Sequence, residues 1–134
     1  MRRLVLTSLA ATLVGITTLA FAQAERHVKA DFTPFASNGI AGTVDLTEQP
    51  SRTQTAVRAQ LKGLQPGAEY FISWYTNGSC TQEASVNLIG TFTANPAGIG
   101  MLRGSVNASL TQIGSVSVKL QSDQSLQACA TIPQ

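Results

Sequence analysis

Histidine is almost absent from this chain. His27 is the only one in 134 residues, beside two cysteines and seven carboxylates. A centre that needs several nitrogen ligands cannot be assembled from one imidazole. Charged residues are scarce, at 12% of the sequence. The nucleophile elbow, the CxxC pair, the P-loop and the HExxH helix do not occur, which removes several familiar signatures of hydrolysis, redox and nucleotide chemistry. No stretch carries a 3.6-residue hydrophobic period, so a helical fold is excluded. The apolar run Leu4 to Ala20 is too short and too weakly flanked for a stable membrane span.

That run instead has the form of an export leader. Arg2 and Arg3 give it a basic start, and Ala20-Phe21-Ala22 and Ala22-Gln23-Ala24 both offer small residues at the −3 and −1 positions of a cleavage site. The chain therefore divides into a leader, 1–24, and one domain, 25–134. Removing the leader takes Arg2 and Arg3 from the nine basic residues and leaves seven, against seven acidic ones. The sequence pI of about 8.8 thus belongs largely to the leader. A near-neutral domain has no electrostatic footprint for nucleic acid or anionic lipid. The expected location is the periplasm or the extracellular space, with no stable membrane insertion once the leader is gone.

Two cysteines, Cys80 and Cys129, remain in the domain. In an oxidising compartment they are expected to form one disulfide. The bond would close a loop of about fifty residues, worth about 4 kcal/mol in the chain-entropy model.

What is abundant is two-residue alternation broken by turns. Eight strands are predicted: 27–32, 40–47, 53–61, 69–76, 88–93, 100–106, 115–120 and 127–132. The clearest have one polar face, as with Val57, Ala59 and Leu61 opposite Arg58, Gln60 and Lys62, or Val116, Val118 and Leu120 opposite Ser115, Ser117 and Lys119. The fold class is all-β, an eight-stranded antiparallel Greek-key sandwich or flattened barrel. The strand at 69–76 is different. It carries Tyr70, Phe71, Trp74 and Tyr75, and neither of its faces is polar throughout. Such a strand is covered on both sides or leaves an apolar patch.

Residues Leu61 to Cys80 resemble the copper/zinc superoxide dismutase family, which places a Gly-Leu-x-Pro-Gly turn before a strand bearing a His-x-His pair, and then a cysteine. Gly63-Leu64-Gln65-Pro66-Gly67 matches the turn. The segments Gly39 to Leu46, Gly90 to Gly98, Ser115 to Lys119 and Ala128 to Ile132 are similar to further family elements in chain order, with Cys129 as the implied partner of Cys80. The metal ligands do not carry over. The two copper-ligand positions of the strand fall on Ile72 and Trp74, and a third falls near Lys119. The family's substrate-guiding arginine falls on Leu126, and its long ligand-bearing loop shrinks to Thr81 to Asn87. The chordin-type repeat domain shares the Gly-Leu-x-Pro-Gly turn and is the second resemblance.

The expectation is a dismutase-like sandwich without the dismutase site: non-enzymatic, without cofactor, and either a binding protein or a structural part of the envelope. The alternative is a divergent dismutase-class enzyme with an unusual metal site. The expected partner is another protein or a small apolar ligand. The candidate surface is Tyr70, Ile72, Trp74 and Tyr75, with Lys119 and Arg103 at its rim, because the shortened loop leaves the Tyr70–Ile72–Trp74 face partly open. His27 reads as a solvated residue on an edge strand. The seven carboxylates read as solvent-facing, and Asn77-Gly78-Ser79 and Asn107-Ala108-Ser109 as plain turns.

Overall fold

A computed structural model describes residues 14–15, 25–85 and 87–134. The expected leader and its cleavage sites lie outside the described residues, apart from positions 14 and 15. Nine strands follow: β1 (Arg26–Asp31), β2 (Thr33–Pro34), β3 (Ala41–Glu48), β4 (Thr55–Lys62), β5 (Glu69–Tyr75), β6 (Leu88–Thr93), β7 (Gly100–Val106), β8 (Ser115–Leu120) and β9 (Leu126–Thr131). Among the described residues one 3₁₀ turn occurs, Leu110–Gln112, and it separates β7 from β8.

The strands form two antiparallel sheets. The smaller has the order β1-β3-β4-β7 and the larger β2-β9-β8-β5-β6. The chain passes repeatedly between them, so β7 pairs with β4 and β8 with β5 rather than with a sequence neighbour. The sheets do not close, because β6 and β7 belong to different ones. The architecture is a sandwich, not a barrel, with nine strands where eight were expected. The extra strand, β2, lies just beyond the end of the expected first strand, 27–32. The buried Phe32 sits where the chain changes sheets, and its N–H donates to the Gly42 carbonyl at 2.9 Å. Pro34 then ends the short β2 edge, since proline has no N–H to extend a ladder.

Alternation in the strands places the core. Val44, Leu46, Val57 and Ala59 point inward from the smaller sheet, and Ile72, Val116, Val118 and Ala130 from the larger. Fully burying an aliphatic side chain contributes about 1.5–3 kcal/mol, so these facing rows supply most of the cohesion between the sheets.

The two turns that carry the family resemblance interlock at one end of the sandwich. Leu64 N–H donates to the Gly98 carbonyl at 3.0 Å, and Gly67 N–H to the Ala94 carbonyl at 3.0 Å. Gly63 and Gly98 both adopt positive φ, at 75° and 74°. A β-carbon on Gly98 would stand 2.6 Å from the Leu64 carbonyl oxygen, and one on Gly63 would stand 2.4 Å from that of Gly39. Only glycine allows both the conformation and the approach.

One carboxylate departs from the solvent-facing expectation. Glu48 is 2% exposed, and its Oε2 accepts the Leu110 N–H at 2.6 Å. Arg26 and Arg52 lie 4.0 and 3.9 Å from its other oxygen. The strand end is roofed by the 3₁₀ turn, whose first N–H has no other partner, so the carboxylate is drawn inside. His27 lies on the edge strand β1 and is more than half exposed, as expected, with Asp45 beside it at 3.4 Å.

Candidate functional site

The aromatic strand β5 faces in the opposite sense to the expected surface. Its inward residues are Tyr70, Ile72 and Trp74, and its outward residues are Phe71, Ser73 and Tyr75. The neighbouring strand decides this. Residues directly opposite in a ladder share a face, and β5 pairs Ile72 with Val118, Trp74 with Val116, Ser73 with Ser117 and Phe71 with Lys119. Val116 and Val118 are fully buried in the core, so Ile72 and Trp74 go in with them.

Most of the expected surface is therefore corrected. Ile72 is 0% exposed, and Tyr70 is 2% exposed. The Tyr70 ring stacks on Phe92 at 5.6 Å between centroids, and its hydroxyl accepts the Gln65 N–H at 2.9 Å. Tyr70 thus holds the Gly63–Gly67 turn and presents no surface. Trp74 is half-buried and packs against the core. Arg103 lies on β7 of the smaller sheet, opposite Arg58, and is not at the rim of the aromatic strand. Of the expected residues, only Tyr75 and Lys119 come together.

They meet on the outer face of the larger sheet, under the loop between β5 and β6. Cys80 and Cys129 are joined, with a Cα separation of 6.1 Å, and tie this loop to β9. Ser115 holds it from below. The Ser115 hydroxyl donates to the Asn77 carbonyl at 2.7 Å and accepts the Cys80 N–H at 2.9 Å. The loop is also folded around Glu83. One oxygen of that carboxylate accepts from the Thr76 hydroxyl at 2.6 Å and the Thr76 N–H at 2.8 Å. It also accepts from the Asn77 N–H at 3.0 Å and the Asn77 side chain at 2.9 Å. The Thr76 hydroxyl, above all, holds the Glu83 carboxyl below its usual range; partial desolvation opposes this, and the N–H donors add to it.

Where the loop stops short, a cleft of about 280 Å³ remains. Phe71, Ser73 and Tyr75 form its floor, Lys119 one wall, and Gln82 and Leu88 its rim. The Tyr75 hydroxyl and Ser117 share a buried hydrogen bond of 3.0 Å. The Lys119 ammonium stands 5.7 Å from the Tyr75 ring centroid, in cation–π range, and donates to the Gln82 side-chain oxygen at 3.3 Å. Ser73 is the exception in this network. It is 3% exposed, and its hydroxyl is the one buried side-chain polar atom among the described residues with no hydrogen-bond partner.

A second hollow, about 440 Å³, lies on the smaller sheet beside His27, Asp45, Arg58 and Arg103. None of its charged side chains is buried. Among the described residues no three His, Cys, Asp or Glu side chains gather as metal ligands, and no helix is long and apolar enough to cross a membrane.

Ser73, Phe71, Gln82 and Leu88 were not singled out from the sequence. The usable signal was in β8, whose clean alternation of valine against serine and lysine assigns the faces of β5 once the two strands are paired. No protein-family model matches the chain, and no curated protein aligns with it significantly.

Proposed function

We propose that this chain is an exported, non-catalytic, dismutase-like β-sandwich that holds a ligand in the cleft over β5. The observation that carries this reading is the unpartnered Ser73 hydroxyl in the cleft floor. A buried hydroxyl without a partner costs about 1–3 kcal/mol. Such a cost persists where a site uses the group, because a ligand can supply the missing bond.

Other features support the remaining parts. The leader-like N-terminus and the Cys80–Cys129 disulfide support export. The tether from the loop after β5 to β9, together with the interlocked turns, supports the dismutase-like resemblance. Two facts support a non-catalytic role. The aligned copper positions hold Ile72 and Trp74, which face the core. Ser73 has no histidine or carboxylate within hydrogen-bonding distance to activate it as a nucleophile.

The test is a Ser73→Ala variant. It is expected to be as stable as the parent or up to about 1 kcal/mol more stable, because it removes an unsatisfied group. It is also expected to lose the small molecule that the parent retains from an extract of the exporting cell, detected by mass spectrometry after gentle purification. Retention of the same molecule by parent and variant alike, or of none by the parent, removes the cleft as the site.

A further inference from the structure

We infer that the cleft takes a small monocarboxylate with an apolar body, its carboxylate held between Ser73 and Lys119; this rests on the cleft being the ligand site. Charge is the first ground. Among the described residues Lys119 is the only charged side chain that lines the cleft, and no aspartate or glutamate lines it. Among the described residues Lys119 makes no ion pair, and its polar partner is the neutral amide oxygen of Gln82. A ligand cation would be repelled, and a ligand anion would meet the one uncompensated charge at close range in a partly desolvated hollow.

Register is the second ground. Ser73 pairs with Ser117 and Phe71 with Lys119. Ser73 and Lys119 are therefore diagonal neighbours on one face, roughly 7–8 Å apart at the backbone. A carboxylate placed over the floor spans that diagonal. One oxygen accepts the Ser73 O–H once that side chain turns up from its buried position, and the other accepts from the Lys119 ammonium. The Tyr75 hydroxyl is already engaged with Ser117 and fixes the ring beneath the ammonium.

The walls define the rest of the molecule. Phe71 is half-buried on the floor, and Leu88 is 54% exposed at the rim. An apolar body laid between them covers both. The volume lies at the lower end of small-molecule sites, so the body is the size of a single ring. A phosphate monoester fits less well, because it brings about two charges and three oxygens to a lining with one cation.

The experiment titrates the purified protein with benzoate, benzyl alcohol and phenyl phosphate, following backbone amide shifts. Benzoate is expected to bind tightest, shifting the amides of Ser73 and Lys119. Lys119→Gln should raise its dissociation constant roughly tenfold or more, the loss of a charge-assisted bond, and leave benzyl alcohol unaffected. Arg103→Gln, on the other sheet, should change neither. Added salt gives an independent readout without any variant, weakening benzoate and not benzyl alcohol. Equal or tighter binding of benzyl alcohol overturns the carboxylate but leaves the cleft as a ligand site. Tighter binding of phenyl phosphate, an unchanged benzoate constant in Lys119→Gln, or an effect of Arg103→Gln overturns the assignment to Ser73 and Lys119. If none of the three binds, the carboxylate is overturned, while retention of a cellular molecule by the parent and not by Ser73→Ala still decides the cleft.

Discussion

The two outer faces of the sandwich follow the same alternation and end up unlike. On the smaller sheet the row Lys29, Asp45, Arg58, Arg103 runs straight across four strands, with Arg58 and Arg103 exposed to solvent. On the larger sheet the corresponding positions hold Phe71, Ser73, Tyr75, Ser115 and Ser117, and the loop between β5 and β6 covers most of them. A bare face can carry charge because water solvates it. A covered face must satisfy every polar group internally. The loop does this for Ser115, and Tyr75 does it for Ser117, but Ser73 is left over. The charged hollow is the more conspicuous of the two, and the covered face carries the stronger sign of use.

The largest test of this contrast is the tether. Replacing Cys80 and Cys129 with serine is expected to cost about 4 kcal/mol of stability, measured by urea unfolding under matched conditions. Arg58→Ala on the bare face is expected to change stability by less than about 0.5 kcal/mol. Comparable effects from the two changes would erase the distinction between a covered and a bare face.

Next in size is Glu48, the charge that the smaller sheet does bury. Glu48→Ala leaves the Leu110 N–H without its acceptor and is expected to cost about 1–3 kcal/mol, again read from urea unfolding. A loss no larger than that of Arg58→Ala would mean that the roof over the strand end stands without it.

A smaller, local effect concerns the loop. The Glu83 pKa is lowered below its ordinary value of about 4.5 when the loop is folded. A carboxylate with a depressed folded pKa contributes its stability above the unfolded value and loses it as pH falls through the folded one. Amide exchange of Thr76 and Asn77, corrected for intrinsic rates, is therefore expected to quicken from about pH 5 downward, ahead of the β4 amides. Glu83→Gln should flatten that dependence.

The smallest expected effect is that of metal removal. A chelator is expected to leave the melting temperature unchanged, and the purified protein is expected to carry neither copper nor zinc in stoichiometric amount. Stoichiometric copper together with superoxide turnover would reverse the non-catalytic reading.

How much of this was legible depended on how one-sided each strand is. β6, β7 and β8 could be bounded to the residue, and β8 has one apolar and one polar face, which is what burial on one side demands. β5 could be located but not oriented, because both its faces are apolar and orientation came only from its pairing with Val116 and Val118. That ambiguity is why Tyr70 and Ile72 looked like surface, and why Phe71 and Ser73 stayed outside the candidate surface. β2 and the 3₁₀ turn, at two and three residues, are too short to leave a period. Glu48 looked solvated because nothing local says that a turn some sixty residues later will roof it.

The strand order also bears on how the native disulfide is reached. Its halves lie 49 residues apart, and Cys129 sits on a strand flanked by β2 and β8. The pairings β4–β7, β5–β8 and β2–β9 all close long loops, and topologies of this kind fold slowly, on a scale of milliseconds to seconds. With two cysteines in the chain, no wrong intramolecular bond exists. The oxidative errors open to the domain are bonds to other molecules, and those to a second copy of the chain should lower its yield as protein concentration rises.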